Sequence, residues 1–122
     1  MFDHVGPNVR DYERSRAFYE QALAPLGFTV LAEWPEHGVV GFGDQGRPVF
    51  WLHQREPYTT GVHIAFTCEE RATVDAFHAA GLAAGGTDNG PPGLRWYHES
   101  YYGAFVLDPD GNNVEAVCHK PE

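Results

Sequence analysis

The chain has 122 residues, 43% of them apolar, 14% aromatic and 20% charged, a balance that fits one globular domain with a real core and leaves no room for a second full domain. Eight basic residues stand against seventeen acidic ones, a formal charge of −9, which repels phosphate backbones and anionic lipid and so argues against nucleic acid or a membrane as partner. The opening MFDHVGPNV lacks a basic stretch leading into an apolar run, and a cytoplasmic protein is the expectation. Cys68 and Cys118 have no metal-type spacing and are expected to be buried free thiols.

Sliding the sequence by 59 places His4 on His63, Phe18 on Phe77, Leu23 on Leu82 and Gly27 on Gly86. The repeat divides a single domain, 1–122, into a first module (1–57) and a second (58–122). The first opens with FDHVGPNV, which alternates, and Asn8 or Asp11 can cap the helix predicted from about Asp11 to Ala24. Its apolar stripe holds Ala17, Phe18, Tyr19, Ala22 and Leu23, and Pro25 and Gly27 stop it. Strand character follows in FTVLAEW, GVVGFG and RPVFWLHQ, with a GDQG turn before the last.

The second module repeats the plan. GVHIAFT alternates; Thr67 and Glu70 have capping-box spacing; a helix runs to about Ala84 with Val74, Phe77 and Leu82 inward, and Gly85 and Gly86 end it. A polar stretch comes next, then YYGAFVLD, a DPDG turn and NNVEAVCHK. The fold class is therefore α+β, with two βαβββ modules. Each would leave a sheet face and both edges poorly covered, so the two should pack together.

Alternation along strands separates the core face from its opposite. Val62, Ile64 and Phe66 make one face of GVHIAFT, leaving His63 on the other; Val114, Ala116 and Cys118 leave Glu115 opposite; Val5 and Val9 leave His4 opposite. Two imidazoles at the equivalent start of each module and one carboxylate at the end of the second thus project from the faces away from the helices. This is a facial triad suited to one divalent transition metal, Fe, Mn, Zn or Ni, with open positions for water or two neighbouring substrate oxygens.

With DHVGPNVRDYERSRAFYEQAL near the start, GVHIAF at the midpoint and FVLDPDGNNVEAV at the end, the chain resembles the vicinal oxygen chelate superfamily over essentially its whole length. That superfamily covers glyoxalase I, extradiol dioxygenases, fosfomycin-resistance enzymes and bleomycin-binding proteins. The resemblance implies a cup-shaped, incompletely closed mixed β-sheet barrel with helices outside, His4, His63 and Glu115 at the ligand positions, and a homodimer. Glyoxalase I would need a fourth ligand where this chain has Trp51. Indole nitrogen is only a donor and cannot replace a carboxylate. The extradiol pattern is met by His98, DPDG and Glu115, but its tyrosine position holds Phe105.

The loop GPPGLRWYHES, rich in Pro, Gly and aromatic residues, is a candidate rim. His98 and Tyr102 are the candidates for moving protons. Trp51, Tyr101, Trp96 and Arg95 are the candidate substrate pocket. The function expected is a metal-dependent enzyme that chelates vicinal oxygens of a small substrate, by lyase, isomerase or dioxygenase-like chemistry. The alternative is a metal-independent binding protein of the bleomycin-resistance type, its tryptophans stacking a planar ligand.

Overall fold

The computed structural model describes residues 1–121. The elements follow in the order β1 (Asn8–Val9), α1 (Tyr12–Leu23), β2 (Thr29–Trp34), β3 (Val39–Asp44), β4 (Arg47–Gln54), β5 (His63–Thr67), α2 (Arg71–Ala83), β6 (Thr87–Leu94), β7 (Tyr102–Leu107) and β8 (Asn113–Cys118). They build two mixed four-stranded sheets, ordered β1-β4-β3-β2 and β5-β8-β7-β6, neither of them closed. In each sheet the first and last strands are parallel and the others antiparallel. A parallel pair needs a crossover, and the helix with its following strands supplies it.

Asp11 caps α1, its side chain accepting from the Arg14 backbone N–H. That turn leaves Phe18, Tyr19, Ala22 and Leu23 buried on one stripe. The capping box expected at α2 does not form: Glu70 is the N-cap and makes no side-chain cap bond. Arg71 starts the helix one residue later, so Thr67 stays in β5, committed to pairing with Val117. The polar stretch of the second module is a strand, β6, with two register shifts along its pairing with β7. Its Pro91 and Pro92 are tolerated because β6 lies at the sheet edge.

Each helix packs on one face of its sheet, and the two helix-side faces share one core. Val40, Phe42, Phe50 and Leu52 from the first sheet, Val106, Val114 and Ala116 from the second, and Phe18 and Phe77 from the helices are fully buried there. Phe50 meets Phe66 edge-on, with ring centroids 5.4 Å apart, so the contact crosses between modules. A polar anchor crosses as well. The buried Tyr19 hydroxyl donates to Asp108 Oδ2 at 2.5 Å, and Asp108 Oδ1 accepts the N–H groups of Asp110 and Asn112. The DPDG turn is thereby fixed against α1. Cys68 and Cys118 are buried and free. Among the described residues, no helix is long and apolar enough to cross a membrane.

Candidate functional site

The faces away from the helices carry the candidate site residues. On β8, Val114 and Ala116 pack inward, so Glu115 points to the opposite face. It is nonetheless 1% exposed, because its neighbours close over it. His63 Nε2 lies 3.0 Å from Glu115 Oε1, and the Tyr101 hydroxyl donates to Oε2. Space for that contact depends on Gly103, where a Cβ would stand 3.0 Å from Glu115 Oε2 and 3.1 Å from the Tyr101 ring. Burial, then the bond to Glu115, pushes the Tyr101 phenol well above its usual range, so it stays a neutral donor.

The tautomers follow from the acceptors. His63 Nδ1 lies 3.0 Å from the Asn113 carbonyl oxygen, which only accepts, so Nδ1 carries a proton. His4 Nδ1 lies 2.7 Å from Asp3 Oδ1, and the same reasoning applies. In both rings Nε2 is the nitrogen left out of that contact, the arrangement in which metal-ligating histidines are usually held.

The donor set of His63 and Glu115 fits a divalent metal. Two ligands each about 2.1 Å from an ion and at right angles stand about 3 Å apart, which matches the 3.0 Å between Nε2 and Oε1. His4 does not join them within one chain: no group of three His, Cys, Asp or Glu side chains that could hold a metal is gathered among the described residues. It lines a cleft together with His63, between the segment that precedes β1 and strand β5.

Comparison with known proteins decides the lineage. Residues 1–116 match the family described as Glyoxalase/Bleomycin resistance protein/Dioxygenase superfamily. The chain belongs to that superfamily. A glyoxalase/bleomycin resistance protein from Albidiferax ferrireducens T118 is 33% identical over 98% of this chain and 99% of that one, with a TM-score of 0.83. A glyoxalase/bleomycin resistance protein/dioxygenase family enzyme from Burkholderia phytofirmans PsJN shares 24% identity over 97% and 98%, TM-score 0.74. Lactoylglutathione lyase from Agrobacterium tumefaciens shares the fold at 19% identity over 97% and 92%, TM-score 0.68. No curated protein matches the chain.

In this superfamily member the two modules are not chemically equivalent. Val5 lies opposite Phe50 and Asn8 opposite His53, which puts Gly6 opposite Trp51; in the second module Ala65 lies opposite Glu115. Trp51 therefore stands where the second module has its carboxylate. The first module offers His4 beside an indole.

The remaining candidates fall in different places. Tyr102 points to the helix side, where its hydroxyl donates to Asp75 Oδ1 at 2.6 Å and the Arg71 guanidinium lies over its ring. The tyrosine beside Glu115 is Tyr101, one residue earlier and thus on the other face. Arg95 covers the Phe105 ring at 5.3 Å and donates to the Pro91 carbonyl at 2.6 Å. His98 sits at the rim, its ring 6.0 Å from that of Tyr101 and 6.3 Å from that of His119. Trp96 is 89% exposed, against the edge of Tyr97, and so walls no enclosed pocket. Sequence reading missed Asp3, the Asn113 carbonyl and Gly103. The first two hold ring nitrogens through ordinary polar groups, and the third acts by having no side chain.

Proposed function

We propose that the chain is a metal-dependent enzyme that takes a small substrate by two neighbouring oxygens, with His63 and Glu115 as two ligands of one divalent transition metal (Fe, Mn, Zn or Ni) and His4 as the third. The observation that carries this reading is the buried Glu115 carboxylate meeting His63 Nε2 at 3.0 Å. The ion, when bound, supplies Lewis acidity toward substrate oxygens.

The chain's own groups do the rest. Asn113 and Asp3 fix the two imidazole rings. Tyr101 occupies one oxygen of Glu115 and leaves the other free for the ion. Phe105 and the Arg95 that covers it limit water on the Glu115 side. His98, at the rim and next to Tyr101, is placed to exchange a proton with a substrate held there. Trp51 in place of a fourth ligand argues against glyoxalase I proper.

The proposed working unit is a homodimer. Among the described residues, one chain brings together only two of the three ligands, and the strands that carry or follow the histidines, β1 and β5, are sheet edges. The third ligand would then be the partner subunit's His4. The test is a screen of vicinal diols, hydroxyketones and thiol adducts on protein reconstituted with each of the four metals. Turnover that vanishes in Glu115→Gln supports the reading; no turnover with any metal and class contradicts it.

A further inference from the structure

Cys68 and Cys118 stand 50 positions apart, the same offset at which β5 pairs with β8 from His63↔Asn113 to Thr67↔Val117. The ladder carries on one residue past that last pair. The Cys68 N–H donates to the Val117 carbonyl at 2.8 Å; in a parallel ladder a residue bonds to the neighbours of the one it faces, so Cys68 faces Cys118. Alternation then puts both thiols on one side of the sheet, Cys68 in line with Ile64 and Phe66 and Cys118 in line with Val114 and Ala116. Both belong to the same buried core. Neighbouring strands run about 4.8 Å apart, and a disulfide asks for Cα atoms roughly 4.4–6.8 Å apart with side chains on a common face. The thiols also sense one another: burial, then Cys118, pushes the Cys68 thiol up to about 11. Cys118 is reachable despite its burial. It walls a cleft of about 520 Å³ at the start of α2, together with Arg71, Ala72 and Lys120.

We propose that Cys68 and Cys118 are a reversible redox pair, which a small hydroperoxide closes into a cross-strand disulfide that staples β5 to β8. Cys118, as thiolate, attacks the near oxygen of hydrogen peroxide. The O–O bond breaks, the leaving hydroxide is protonated to water, and Cys118 becomes a sulfenic acid. Cys68 then gives up its proton and attacks that sulfur; the S–S bond forms, the S–O bond breaks, and the departing hydroxide takes the proton as a second water. The two thiols lose two electrons in all, and one peroxide accepts them to become two waters. The order follows from the setting, since Cys118 borders the cleft and Cys68, held protonated, is the resolving thiol. The bond would join the strands that carry His63 and Glu115 and would tie down β5, a sheet edge that pairs with β8. It would close a loop of about 50 residues, and cross-links across long loops constrain the unfolded chain most. A transient bond of this kind suits a chain in a reducing compartment, where lasting disulfides are rare. The proposal does not rest on the metal.

The test exposes reduced, full-length protein to hydrogen peroxide after chelation, so that no bound ion decomposes the oxidant. Catalase stops the reaction, the chain is unfolded with an alkylating agent present, and mass spectrometry reads the products. The expected result is loss of two hydrogens from the intact chain, no alkylation of either cysteine, and a peptide pair linking Cys68 to Cys118, all reversed by dithiothreitol. The oxidised chain should melt on the order of 5–10 °C above the reduced one, and the amides of β5 should exchange more slowly. In Cys68→Ala the melting shift should vanish and dimedone should capture a sulfenic acid at Cys118. The parent alone decides whether the bond forms, so a variant that fails to fold leaves the test intact. Two thiols still open to alkylation after peroxide, a bond found only between chains, or a linked chain that melts no higher than the reduced one overturns the proposal. Because metal is absent throughout, none of these outcomes bears on whether His63 and Glu115 hold an ion.

Discussion

His63 Nε2 faces Glu115 Oε1 across 3.0 Å, while His63 Nδ1 is committed to the Asn113 carbonyl. With Nδ1 as donor, the neutral ring brings a lone pair to meet a carboxylate, and a cation must stand between them. That cation is either a second ring proton or a metal. A buried carboxylate without such compensation is costly, and removing one partner of a buried charged pair commonly costs about 3–5 kcal/mol. In the metal-free protein His63→Ala should therefore lower stability, by less than that range because His63 itself is half exposed. Urea unfolding of chelated protein measures it.

Tyr101 sets which oxygen of Glu115 is available. In Tyr101→Phe the ring keeps its edge-on contacts with Tyr97 and His119, but Oε2 loses its donor. Partners of this kind are typically worth 10–100-fold in metal affinity. Zn(II) titration of the folded variant should show a loss of about tenfold. Affinity equal to the parent would mean that the phenol only fills space.

The origin of the third ligand has a stoichiometric test. If each metal site takes the partner subunit's His4, mixing His4→Ala with Glu115→Gln and allowing subunits to exchange restores intact sites in mixed dimers. Random pairing gives about a quarter of the parental metal content. Ligands drawn from one chain would give none.

Away from the site, Glu33 accepts from the Tyr12 hydroxyl at 2.5 Å and from Arg16 Nη2 at 3.1 Å. Arg16 first, then Tyr12, holds its carboxyl below the usual 4.5. A carboxyl depressed in the folded state stabilises above its unfolded pKa and loses that contribution as pH falls through the folded one. Glu33→Gln should cost up to about 1 kcal/mol at pH 7, and the difference from the parent should shrink as pH drops below about 4.5. Thermal melts over pH 3–7 check the sign.

Much of the architecture was legible because the signals were local and repeated. Asp11, the Phe18 stripe and the parity of His63 and Glu115 each rest on spacing within one element, and each element occurs twice. What escaped depended on neighbours. β6 carries TDNGPPGL, with no alternating apolar face, and becomes a strand only because β7 offers an edge that tolerates its two prolines. Tyr101 and Tyr102 offer the same phenol, but one step along a strand reverses the face, and it is Tyr101 that meets Glu115. That Trp51 stands in for a ligand like Glu115 is legible in the sequence, but the size of the register slip comes only from the pairing: the partners of β1 lie 45 residues on and those of β5 lie 50 on. The 59-residue repeat cannot show that five-residue difference.

Whether His63 and Glu115 hold a metal is read from the metal content of the protein. Protein reconstituted with Fe(II), Mn(II), Ni(II) or Zn(II), freed of excess ion and measured by elemental analysis, should retain about one equivalent per chain of at least one of them. His63→Ala and Glu115→Gln, shown to be folded, should retain almost none. Parent protein that holds none of the four ions, or folded variants that hold as much as the parent, would contradict the account.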